Sequence, residues 1–125
     1  MAEQGTATLY ARLGGYDAIA AVADDLLPRL MTDPQLGRFW ANRGADGIRR
    51  EKQLLIDFLC ASAGGPVYYR GRDMLLCHRG MRISEGDWNV FLGHAGAALA
   101  KLQVPEAEQR EVAAFVQTLK QEIVE

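Results

Sequence analysis

Gly71-Arg72-Asp73-Met74-Leu75-Leu76-Cys77-His78-Arg79-Gly80-Met81-Arg82-Ile83-Ser84 is the stretch around which the rest of the chain arranges itself. Just downstream, Ser84 and Asp87 stand three apart, the Asp variant of a helix capping box. Behind them Trp88, Phe91, Leu92, Ala95, Leu99 and Leu102 form one apolar stripe, so a long amphipathic helix starts where the stretch ends. Val104-Pro105 opens a last helix with Val112, Phe115, Val116, Leu119 and Ile123 facing inward.

Upstream, the stretch is preceded by extended residues Val67-Tyr68-Tyr69-Arg70 and by Gly64-Gly65-Pro66, which turns the backbone out of a helix. That helix is capped by Asp46, with Ile48, Leu55, Ile56 and Leu59 on one face and Leu54 and Phe58 beside them. Asn42-Arg43-Gly44 is a loop. Asp33-Pro34, a cap followed by Pro at the first helical position, predicts a short helix carrying Leu36, Phe39 and Trp40. Asp17 caps a helix with Ile19, Val22, Ala23, Leu26, Leu27 and Leu30 at a 3.6-residue period, and Pro28 predicts a kink near Leu27. A short first helix, Thr8 to Leu13, precedes Gly14-Gly15. No alternating run of useful length, repeat or low-complexity tract breaks the pattern. The fold class is all-α.

The 125 residues make one domain with room for a real core, 49% hydrophobic and 24% charged. A net charge of −2, with no basic run beyond Arg49-Arg50-Glu51-Lys52, argues against nucleic-acid binding. No apolar run reaches membrane-spanning length, and Met1 to Thr6 lack the features of a secretory leader. Cys60 and Cys77 match neither a disulfide framework nor a zinc pattern, so a reducing cytoplasm is expected; both read as small buried hydrophobes.

His78 is one of only two histidines. On a short capped helix beside an apolar wall, a neutral imidazole suits the role of protein ligand to a five-coordinate iron porphyrin; the plain alternative is a histidine that packs a helix end. Ligation requires a neutral ring whose other nitrogen donates to an acceptor, and the Met74 carbonyl one turn back is well placed for that. The glycine pairs at 14–15 and 64–65 let long helices cross closely while leaving the segment before His78 unwound.

The series Leu9-Tyr10-Ala11-Arg12-Leu13-Gly14-Gly15, Asp33-Pro34, Phe39-Trp40, Phe58-Leu59, Gly64-Gly65-Pro66, Tyr69, Gly71, Met74 with His78 four residues on, Ile83-Ser84, Trp88 and Gly93-His94 resembles the truncated haemoglobins, within them the group I branch. The resemblance covers nearly the whole chain. It implies a single truncated globin domain over 1–125: a two-over-two helical sandwich around one haem b, with His78 as the proximal iron ligand. It further implies that Met74 and Ile83 flank the porphyrin, that Trp88 closes that side, and that Trp40 lies against the other. Leu54, Phe58, Leu59 and Tyr69 join the candidate lining, though ordinary core packing would bury the apolar ones equally. Arg72 and Arg79, with Arg82, bracket the ligand helix as candidate partners of the haem propionates. His94 reads as structural.

The resemblance weakens on the distal side. Where many of these proteins have a Tyr that holds bound oxygen, this chain has Leu27; the polar distal positions fall on Leu55 and Glu51, and which of Glu51, Lys52 and Gln53 faces the pocket stays open. Leu27, Leu55 and Trp40 offer few donors, each worth on the order of 1 kcal/mol, so fast oxygen release or easy autoxidation is expected unless Gln53, Lys52 or Tyr69 turns in. The expected function is reversible binding of oxygen, carbon monoxide or nitric oxide by a monomer or weak dimer. The alternatives are a haem enzyme, either a nitric oxide dioxygenase fed by an external reductase or a weak peroxidase, and a haem-free helical interaction module.

Overall fold

A computed structural model describes residues 7–125; residues 1–6, read above for a leader, lie outside it. The described residues form seven α-helices, α1 (Leu9–Leu13), α2 (Tyr16–Met31), α3 (Ala45–Ser62), α4 (Met74–His78), α5 (Glu85–Lys101), α6 (Glu106–Gln117) and α7 (Lys120–Ile123), with a short 3-10 helix, Gly37–Trp40, between α2 and α3. Among them there is no strand, as the periodicity requires.

α2 is the common wall. Its first half packs on α3 through Ile19, Ala23, Ile56 and Cys60. Its second half packs on α5 and the 3-10 segment through Leu26, Leu30, Leu36 and Ala98. Each fully buried Leu or Ile contributes about 1.5–3 kcal/mol relative to an exposed one, so these two clusters hold the long helices together. α1 closes one end: Tyr10 N donates to the Ala63 carbonyl at 2.9 Å, and the Arg12 guanidinium grips Glu111 through two bonds, 2.7 and 2.8 Å, while reaching Glu108 at 3.0 Å.

The glycine pairs act as the sequence suggests. At the end of α3, Gly64 takes φ 91°, its N–H donates to Ala61 O at 3.1 Å, and Gly65 N–H donates to Cys60 O at 2.8 Å, a Schellman closure that a Cβ at Gly64 would strain. Gly65 is needed for another reason: a Cβ there would lie 2.5 Å from Cδ1 of Tyr10.

Four local expectations need correction. Asp17 and Asp46 are not caps; Gly15 and Gly44 occupy those positions, and the two carboxylates fall in the first turns, where they complement the helix dipole. Asp33 does cap, accepting from Gln35 N at 2.8 Å and Leu36 N at 3.0 Å, but it opens a turn and the 3-10 helix rather than an α-helix. Pro28 lies within α2, which continues to Met31 as one element. The last helix is two helices, because Thr118 Oγ1 and N both bond back to Phe115 O and Leu119 N bonds Val116 O, tightening the backbone there. The Ser84–Asp87 capping box is present as expected.

Candidate functional site

α4 exists because of a single cap. Asp73 Oδ1 accepts from Leu76 N at 2.8 Å, opening a helix of only five residues that ends at His78. Before it, Tyr69 folds back so that its hydroxyl donates to Arg72 O at 2.5 Å, and its ring meets Phe58 of α3 edge to face at 5.2 Å. α4 packs chiefly on α7.

His78 Nδ1 lies 2.8 Å from Met74 O. A carbonyl can only accept, so Nδ1 is the donor in this bond, and in a neutral ring that arrangement leaves the lone pair on Nε2. Cys77 Sγ, 3.3 Å from the same Nδ1, lies 3.7 Å from Met74 O. Partial desolvation pushes the Cys77 thiol up, and burial does the same for Cys60. Cys60 is fully buried as expected, whereas Cys77 is exposed, a correction that follows from α4 having no buried side chain.

The remaining candidates are placed unevenly. Leu27 and Trp88 are buried. Trp40, Leu54, Leu55, Phe58, Leu59, Tyr69, Met74 and Ile83 are half-buried, and Arg72 and Arg79 are exposed. Trp88 stacks at 5.4 Å on Phe91. Leu55 and Leu59 lean on the Ile19–Cys60 cluster. Leu59 also lines a cavity of about 600 Å³ walled by α1, α2, α3, α5 and α6, none of whose lining residues lies on α4. Leu59 lies one turn beyond Leu55 on the same face of α3.

The three polar residues Glu51, Lys52 and Gln53 of α3 have separate partners. Lys52 pairs with Asp24 at 2.7 Å. Gln53 bonds Tyr16 Oη at 2.8 Å and Asp57 at 3.0 Å. Glu51 accepts from Trp40 Nε1 at 3.1 Å and from Arg43 at 2.6 Å. Arg43 was missed by reading the sequence, where it sits in what looks like plain loop; its spacing of eight residues from Glu51 was the available signal. His94 is structural, its Nε2 2.7 Å from Asp33 Oδ2, and this bond is the main cause holding the Asp33 carboxyl below the usual range.

These residues fit a flat apolar cofactor with one protein nitrogen. The indole N–H of Trp88 is buried with no acceptor, the kind of orphan a bound group satisfies. The apolar side chains of α3 and α4 named above are left half-covered. One imidazole is the donor that an iron already chelated by its own macrocycle takes from a protein.

Helices crossing on a shared α2, with a short helix presenting one histidine, define a small globin. The match to known proteins is specific: residues 8–125 fit the family of bacterial-like globins. The group 1 truncated hemoglobin of a Nostoc species is 34% identical over 93 residues, 74% of this chain and 76% of that one. That of Mycolicibacterium paratuberculosis is 28% identical over 117 residues, 94% of this chain and 84% of its own. The crystal structure of the Tetrahymena pyriformis truncated hemoglobin in its Fe(III) form superposes with a TM-score of 0.85 at 25% identity, covering 94% of this chain and 98% of that one. The chain belongs to the bacterial-like globins, in the group 1 truncated haemoglobin branch, and is thus a haem-binding globin. No helix of the described residues is long and apolar enough to cross a membrane.

Proposed function

We propose that this globin binds diatomic gases, oxygen, carbon monoxide or nitric oxide, at the iron of a haem b held by His78 alone. Haem, when bound, supplies an iron with one open coordination position. The observation that carries the reading is the 2.8 Å bond from His78 Nδ1 to Met74 O, which fixes the ring's orientation and tautomer and raises the basicity of Nε2. Met74, Ile83 and Trp88 would hold the group on the His78 side and Trp40 on the other, with Leu54 and Phe58 as further lining, and the exposed guanidinium groups of Arg72 and Arg79 would meet its propionates. On the distal side Leu27 and Leu55 exclude water without supplying proton donors, which favours reversible ligand binding over cleavage of peroxide. Lys52, Gln53 and Tyr69 each have a partner elsewhere, which supports an open sixth position. Nitric oxide turnover would need an external reductase. A reducing, cytoplasmic setting suits the exposed Cys77.

The test is the optical spectrum of the purified protein, ferric, dithionite-reduced and with carbon monoxide, beside His78→Gly. The expected result is a Soret band that shifts with carbon monoxide and, in the variant, haem that is lost or regained only with added imidazole. A variant with an unchanged spectrum removes His78 from the iron. Haem-reconstituted protein without a specific Soret band would sink the gas-binding reading altogether.

A further inference from the structure

α4 buries none of its side chains, so packing alone does little to set where its last turn points. It is held at its ends. The Tyr69–Phe58 contact fixes the approach. The exit is the linker Arg79 to Ile83, and it contains two residues in the left-handed region, Gly80 at φ 84° and Arg82 at φ 58°. Such a conformation is ordinary for glycine and strained for arginine, so something must hold Arg82 there.

That something is Glu125. Its Oε2 accepts from Gly80 N–H at 3.1 Å, and its Oε1 accepts from Arg82 N–H at 2.6 Å. Its own N–H donates to Ile83 O at 2.8 Å. Backbone N–H groups converging from a left-handed turn make an anion-binding concavity; here those of Gly80 and Arg82 converge on the chain's own carboxylate, while Met81 N–H between them turns back to His78 O at 3.1 Å. The concavity begins two residues after His78, and Glu125 lies just beyond α7, the helix against which α4 packs. One short segment therefore both backs α4 and clasps the loop leaving it.

We propose that Glu125 is a positioning residue for His78: by clasping Gly80 and Arg82 it fixes the last turn of α4, and with it the direction in which Nε2 is presented to iron. This rests on His78 being the ligand. Without the carboxylate, Arg82 relaxes out of the left-handed region, the linker opens, and the last turn of α4 loses its lower anchor.

Two readouts on the haem-loaded protein test it. The iron–histidine stretching band of the ferrous, ligand-free protein reports the bond that Nε2 makes, and haem transfer to a scavenging apoglobin reports how well the imidazole is held. Glu125→Ala should move and broaden the band and speed transfer by about ten- to a hundredfold, as loss of outer-shell partners does elsewhere. Glu125→Gln, which keeps the shape but has one accepting oxygen, should fall between, and it carries the test if the alanine variant does not fold. Adding Arg82→Gly, which removes the strain, should not restore the band, because the anchor is still missing. A band and transfer rate unchanged in both Glu125 variants overturn the proposal while leaving the ligand reading intact. A wild-type protein with no iron–histidine band overturns both.

Discussion

The indole N–H of Trp40 points at Glu51, 3.1 Å from each of its carboxylate oxygens, and Arg43 closes on Oε1 of the same group at 2.6 Å. This joins the segment after α2 to the first turns of α3 and sets a carboxylate, only partly neutralised, at the edge of the candidate distal side. A charge there acts through space, at roughly 1–4 kcal/mol for a partner 4 Å away between water-like and protein-surface dielectric. It should repel anions that approach a ferric iron. Glu51→Gln is expected to tighten azide binding by about tenfold, or about 1.4 kcal/mol, and Arg43→Ala to weaken it. Titration of the ferric protein with azide measures both. Equal affinities in all three proteins would mean that the carboxylate does not reach the ligand.

Among the described residues Asp87 is the buried charge. It accepts from Arg38 at 2.7 Å, Gln35 at 2.7 Å and Ser84 N at 2.9 Å, and these bonds, led by Arg38, hold its carboxyl well below the usual range. Arg38 is half-exposed, so solvent screens that part of the interaction. Asp87→Asn should cost about 2–3 kcal/mol at neutral pH. Because the folded-state value is depressed, the stabilisation is present above the unfolded carboxylate value of about 3.9 and is lost as pH falls through the lower folded value. Urea unfolding at pH 7 and pH 3 should show the wild-type advantage shrinking at the lower pH. An advantage that grows on acidification contradicts the sign.

Gly65→Ala places a methyl 2.5 Å from Tyr10 Cδ1 and 2.8 Å from Cγ, too near the root of the ring for rotation alone to relieve. A loss of about 1–3 kcal/mol is expected. In a Tyr10→Ala background the same change should cost less than about 0.5 kcal/mol, since the two positions couple only through that clash. Equal costs in the two backgrounds would put the penalty in the backbone instead.

The two thiols should separate cleanly. Cys60 is fully buried and Cys77 is exposed. A disulfide reagent on the native cofactor-free protein is expected to modify one thiol, absent in Cys77→Ser, and the second only on unfolding. Both are raised by desolvation, so the native reaction should accelerate above the ordinary thiol range of about 8.5. Two fast thiols would show that α3 opens readily.

How much could be read from the chain depends on the range over which each interaction acts. The helices of α2, α3 and α5 were legible because their stripes answer to burial over several turns, and the Ser84–Asp87 box because both partners are three residues apart. Met74 and His78 are likewise one turn apart, so their bond could be expected from spacing alone. The caps at Gly15 and Gly44 were misassigned because a nearby Asp outcompetes glycine on propensity, whereas here a glycine turn had already set the backbone. The break at Thr118 depends on a hydroxyl choosing its own helix, which no hydrophobic stripe records. The neighbours of Glu51, Lys52 and Gln53 were illegible for another reason: three consecutive helical residues point in three directions, and only tertiary placement says which direction is inward. Glu125 and Gly80, 45 residues apart, left no local trace.

The cluster of Ile19, Ala23, Ile56 and Cys60 takes nothing from α4. This core is therefore built from α2 and α3 alone, and His78 stands on an element outside it, so a change in α4 can alter how the imidazole is presented without loosening what joins the two long helices.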